Sequence, residues 1–92
     1  MPSTTKSLLR VLGRSYALQA VPLVREKAAE QGVRLPVRHA ELFTLLQNIY
    51  EAMEREHHVA WDSLPVSYQD AFLHAFWSAM VRSKVALPVP GK

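Results

Sequence analysis

Apolar side chains at Tyr68, Ala71, Phe72, Ala75, Phe76, Ala79 and Met80 follow the i, i+3, i+4, i+7 spacing of one helix face. The pattern predicts a helix from about Pro65 to Lys84. Leu73, Trp77 and Val81 lie roughly 100° round from that stripe. A helix apolar over two flanks needs cover on both, from other helices or from a second molecule. The expectation is that the Tyr68, Phe72, Phe76, Met80 stripe is core, whereas Leu73, Trp77 and Val81 form a partner-binding or self-association surface with Trp77 as its anchor.

The same period recurs upstream. Leu42, Leu45, Leu46, Ile49, Tyr50 and Met53 predict a helix beginning after Pro36 and ending near His57. Leu8, Leu9, Leu12 and Tyr16 follow the cap candidates Ser3, Thr4 and Thr5, predicting a first helix to about Gln19. Pro22 either kinks this helix or opens another that runs to Gly32, and a break near Ala20 and Val21 is the expectation. The tail, ALPVPGK, alternates proline with small apolar residues and reads as extended. There is no internal repeat and no β-hairpin signal. The fold class expected is all-α: a small bundle of three long helices plus a short or kinked one. It forms a single domain over residues 1–86 with an extended tail at 87–92.

The corner EREHHVAWDSLP invites two readings. In the first it is a helix end followed by a helix start. His57 and His58 face the negative end of the helix dipole, Asp62 or Ser63 accepts hydrogen bonds from first-turn amides, and Pro65 supplies a preset φ. Val59 and Trp61 would then pin the corner to the core. In the second it is a metal site, with Glu54 paired to His57 and His58 and a further pair, Asp70 and His74, on the next helix. A carboxylate-bridged di-iron bundle needs two Glu-x-x-His pairs and two more glutamates, and only one such pair is present. No metal and no cofactor is expected.

Chemistry of other kinds is narrowed by composition. The 92-residue chain contains no cysteine, which removes disulfides, thiolate metal sites and cysteine nucleophiles together. Its length allows one core that buries roughly 60 to 65% of the unfolded surface. Ser67, Asp70 and His74 combine the residue types of a hydrolase triad, but on one helix their side chains run parallel and do not converge. The only glycines are Gly13, Gly32 and Gly91, so no glycine-rich phosphate loop is present. An enzyme is not expected. With no run of 18 apolar residues a transmembrane segment is not expected either, and the anticipated setting is soluble and cytoplasmic, or an organelle interior in a eukaryote.

Charge changes the picture once. The formal net charge is +3, but residues 1–38 carry seven bases and two acids, residues 39–64 one base and five acids, and residues 65–92 three bases and one acid. The first 25 residues hold Lys6, Arg10, Arg14 and Arg25 and no acid, a transit-peptide composition. The presence of Met1 and the need for these apolar positions in a small core argue against cleavage. Lys6, Arg10 and Arg14 recur every four residues, and REKAAEQGV with RLPVR has the residue types of a degenerate helix-turn-helix, with Ala28 and Gly32 at suitable offsets. Pro36 and Arg38 fall where a recognition helix should pack, which departs from that motif. Two functional expectations follow. The first is a non-enzymatic protein-interaction module, a regulator, assembly factor or accessory subunit, that binds another protein or itself through the aromatic helix surface. The alternative is a nucleic-acid binder using Lys6, Arg10, Arg14, Arg34 and Arg38.

Overall fold

The computed structural model describes residues 5–88, and among them three α-helices make an all-α bundle: α1 (Lys6–Gln31), α2 (Phe43–His57) and α3 (Val66–Arg82). Short 3-10 turns at His39–Leu42 and Trp61–Ser63 precede α2 and α3. Late α1 lines a groove with the start of α2, and Tyr16 meets Glu56 at the end of α2. Gly13 faces Phe72 to Phe76, while Arg25 reaches Ser83. The chain therefore runs up, down and up, with α1 and α3 parallel. Principal extents of 45 × 30 × 18 Å leave room for two layers of helices about 10 Å across: α1 beside α3, with α2 laid over them.

The first helix does not break at Ala20 and Val21 as its proline suggested. α1 is continuous for 26 residues with Pro22 inside it, about 39 Å of helix. An internal proline removes one ladder hydrogen bond at a cost of about 3 kcal/mol. Here Pro22 is exposed, as is Leu18, whose carbonyl loses its donor. The buried positions Ala17, Ala20, Val21 and Ala28 continue across it on the opposite side, so tertiary burial offsets the local penalty. At the N-terminus Thr5 is the cap, accepting from the Leu8 amide at 3.1 Å. Ser3 and Thr4 lie outside the described residues.

The start of α2 also differs from expectation. Val37 is extended and bridged in parallel to Ala86: its amide donates to the Val85 carbonyl at 3.1 Å, and its carbonyl accepts from the Leu87 amide at 2.8 Å. A residue committed to such pairing cannot open a helix. The α-helix begins only at Phe43, after the 3-10 turn, and ends at His57 as its period predicts. The bridge also buries Val37, Val85 and Ala86 and ties Leu87, the first residue of the expected tail, to the body. Residues 89–92 lie outside the described residues.

All three helices stop in one way. Gly32, His58 and Lys84 take positive φ of 68°, 58° and 63°, and each is followed by a valine. The amides of Val33, Val59 and Val85 donate back to Ala28, Met53 and Met80, satisfying carbonyls that a helix end otherwise leaves without partners. Val59 and Val85 are buried and close the core at those ends.

The core contains the predicted stripes. Phe72, Phe76 and Met80 from α3 meet Leu9, Leu12 and Tyr16 from α1 and Leu46, Ile49 and Met53 from α2. Tyr68 and Ala71, at the edge of the stripe, are half-buried. Where α1 crosses α3, Gly13 lies against backbone: a Cβ there would run into the Phe72 carbonyl oxygen and come within 3.2 Å of both the Phe76 nitrogen and the Ala75 Cβ. Small residues at Gly13, Ala17, Ala75 and Ala79 let the two backbones approach. The α2 layer is instead held off by large side chains, among them Tyr50, stacked on Trp61 at 4.1 Å, with Trp61 edge-on to Phe72 at 5.3 Å.

Candidate functional site

The aromatic run does not end in the core. From Trp61 it passes to Phe72, then to Phe76 at 6.1 Å, and then to Trp77, whose ring stands edge-to-face on Phe76 at 5.2 Å. Phe76 is fully buried. Trp77, one residue further and therefore about 100° round the helix, is half-buried, as are Leu73 and Val81. Leu73 and Trp77 rest on the core from outside, and Trp77 and Val81 wall an open groove of about 470 Å³ with His74, Ser78, Arg82 and Pro88. The three residues expected to form a docking flank are thus placed on one continuous face of α3. That face is partly covered by its own domain, which the sequence pattern alone did not indicate.

The histidine corner resolves as local structure. Residues 57 and 58 occupy the last position of α2 and its left-handed cap. The His57 ring stands edge-on to Tyr16 at 6.2 Å, and the His58 amide donates to the Glu54 carbonyl at 3.1 Å. Asp62 and Ser63 do not cap α3, contrary to expectation. They are consumed by the 3-10 turn, in which the Ser63 amide bonds Ala60 and the Leu64 amide bonds Trp61. Pro65 is itself the cap residue, with no side-chain bond to the helix; its carbonyl accepts from the Tyr68 and Gln69 amides. The Gln69 side chain then fastens the corner by donating to the Trp61 carbonyl at 2.9 Å.

The two metal-type pairs are not brought together. Glu54, His57 and His58 are exposed at the end of α2, Asp70 and His74 are exposed on α3, and among the described residues no three acid or imidazole side chains gather around a point. Ser67, Asp70 and His74 all face solvent along one helix.

Tyr16 is the polar side chain most changed by its surroundings. Burial, and then a 2.7 Å bond to the Glu56 carboxylate and that group's negative charge, push its phenol up to about 12. Keeping the proton lets the hydroxyl donate to Glu56 and clasp α1 to the end of α2. Burial alone raises Tyr50 as well.

Lys6, Arg10 and Arg14 are all exposed along α1, but Arg34 and Arg38 are not on a helix at all. Eleven residues separate the end of α1 from the start of α2, far more than the three or four of a helix-turn-helix. The extended pairing of Val37 and the 3-10 turn fill that space, so the degenerate motif does not form. Arg38 instead places its amide 3.2 Å from the Glu41 carboxylate, which accepts from it.

Two features escaped the sequence pattern. Val11 and Leu18, two turns apart on α1, remain 63% and 53% exposed, and they lie between arginines rather than in the core. The seam at Gly13 was signalled, in hindsight, by small residues four apart at Gly13 and Ala17 and at Ala71, Ala75 and Ala79. No helix among the described residues is long and apolar enough to cross a membrane. No protein family, no curated protein and no solved structure matches this chain.

Proposed function

We propose that this chain is a small docking module without chemistry of its own, a regulator, assembly factor or accessory subunit that binds another protein through the Leu73, Trp77, Val81 flank of α3. The observation that carries this reading is Trp77. Its ring is braced by the buried Phe76 and borders an open groove, the arrangement of a preorganised aromatic anchor. A groove of about 470 Å³ takes a few side chains of an inserted segment. That suits a partner chain better than the broad, mutual face of a two-fold dimer.

The nucleic-acid alternative is favoured by one observation, the exposure of Lys6, Arg10 and Arg14 along α1. Affinity capture from the native host, with and without nuclease, separates the readings. A partner retained after nuclease by the native chain, and lost by a folded Trp77→Ala variant, supports docking through α3. A partner lost on nuclease treatment and on changing the three bases to glutamine supports the alternative. Association only with itself, seen as a concentration-dependent mass, replaces the partner with a second copy.

A further inference from the structure

On the side of the α1–α3 seam that holds Arg10 and Arg14, a second groove of about 470 Å³ runs along the molecule. Arg10 and Arg14, with the exposed Val11 and Leu18, line it from α1, and Ala75, Ala79 and Arg82 line it from α3. Among the described residues no carboxylate lines it. This contrasts with the groove under Tyr50 and Trp61, which is lined by Glu51, Glu54 and Asp62. We propose that the basic groove is a binding site for an acidic amphipathic helix of another protein. It meets the Trp77 groove at Arg82, which borders both, but includes neither Trp77 nor Val81, and the proposal does not rest on that flank.

Shape, charge and spacing select that occupant. Three guanidinium groups beside exposed apolar side chains complement a helix whose apolar stripe is flanked by carboxylates. Val11 and Leu18 are seven residues apart, or about 10 Å along α1, so the ligand should present apolar residues at i and i+7. A second copy of this chain offers no such helix, because its acidic helix α2 has the apolar positions Leu46, Ile49 and Met53 buried in its own core. Nucleic-acid surfaces are contacted by polar, strongly basic faces, whereas here Val11, Leu18, Ala75 and Ala79 put apolar side chains among the arginines. A membrane-lying helix inserts a convex apolar face, whereas these side chains line a concavity between two helices.

The test uses two helical peptides of about 20 residues with the same leucine stripe, one with glutamate and one with lysine on its polar face, long enough to span the groove. Their binding to the full chain is followed by fluorescence anisotropy at low and physiological salt. The glutamate peptide should bind at least about tenfold more tightly than the lysine peptide, and more weakly as salt rises. Changing Arg10 and Arg14 together to glutamine should weaken it about tenfold, and Val11→Ser with Leu18→Ser should do so comparably. All four side chains are exposed, so these variants should melt like the native chain, and Trp77→Ala should bind the peptide as before. Equal binding of the two peptides, or indifference to the arginine change, overturns the proposal. So does tighter binding of duplex DNA or of phosphatidylserine vesicles than of the glutamate peptide. Loss of peptide binding in Trp77→Ala would merge the two surfaces and overturn their separation.

Discussion

Phe76 and Trp77 are neighbours in sequence and in space, yet α3 uses them differently. Phe76 is fully buried where α1, α2 and α3 meet, whereas Trp77, about 100° further round the helix, stays half-buried over an open groove. A three-helix, two-layer domain has two helices with which to cover the third. One face of α3 is covered by α1 at the seam and by the large side chains of α2 beyond it, and the remaining flank is left partly open. Helix period identifies a core face, but the number of neighbouring helices decides whether a second apolar flank joins it.

The comparison is strained hardest by truncating the inner face. Phe76→Ala or Phe72→Ala should cost about 3 to 5 kcal/mol in urea or thermal unfolding, a large share of the stability of a domain this small. A loss below about 1 kcal/mol would show that the inner stripe is not what holds the bundle together.

Gly13→Ala tests the seam that brings α1 over α3. The new methyl meets the Phe72 carbonyl and the Phe76 nitrogen, which are backbone atoms and cannot swing aside, so the helices must move apart. A net loss of about 1 to 3 kcal/mol is expected, even though alanine favours helix by about 1 kcal/mol. Unchanged stability would mean that the helices do not approach so closely.

Tyr16→Phe sharpens the other side of the comparison, the joint between α1 and α2. It should cost about 0.5 to 1.5 kcal/mol at neutral pH, the worth of one hydrogen bond. Because the folded-state pKa is raised from 10.0 to about 12, the native chain holds this contribution fully below pH 10 and loses it as pH rises from 10 to 12. Alkaline unfolding should therefore be less steep with pH in Tyr16→Phe, the remaining dependence including Tyr50. Identical alkaline profiles would contradict the assignment.

Smallest is the effect at the helix ends. His58 and Lys84 adopt positive φ, which costs a side-chain-bearing residue about 1 kcal/mol. Glycine at either place should be neutral or stabilising by up to about that amount. For His58 a gain would also mark it as a cap, whereas a loss of bound zinc in the same variant would return the corner to metal chemistry.

The sequence pattern made the helices and their buried stripes legible because those properties are local and periodic. The end of α2 at His57, the span of α3 and the packing of Trp61 near Phe72 all followed from it. What it could not show depends on distant residues. The bridge between Val37 and Ala86 joins positions 49 apart, and it alone explains why Pro36 is not followed by a helix. Pro22 looked like a break because local rules see the lost hydrogen bond and not the burial of Val21 and Ala28 on the far side. The flank proposed for docking was legible only as a face: Leu73, Trp77 and Val81 do share one, but how far α3's own neighbours cover it is a property of the assembled domain.

The central claim, that α3 divides its aromatic residues between core and docking, is tested most directly by measuring Trp77→Ala and Phe76→Ala side by side, in unfolding and in binding to the captured partner. The account predicts that Trp77→Ala loses less than about half the stability lost by Phe76→Ala, and far less than full burial would imply, while its partner binding falls at least about tenfold. Equal collapse of both variants, or a folded Trp77→Ala that still binds, would contradict it.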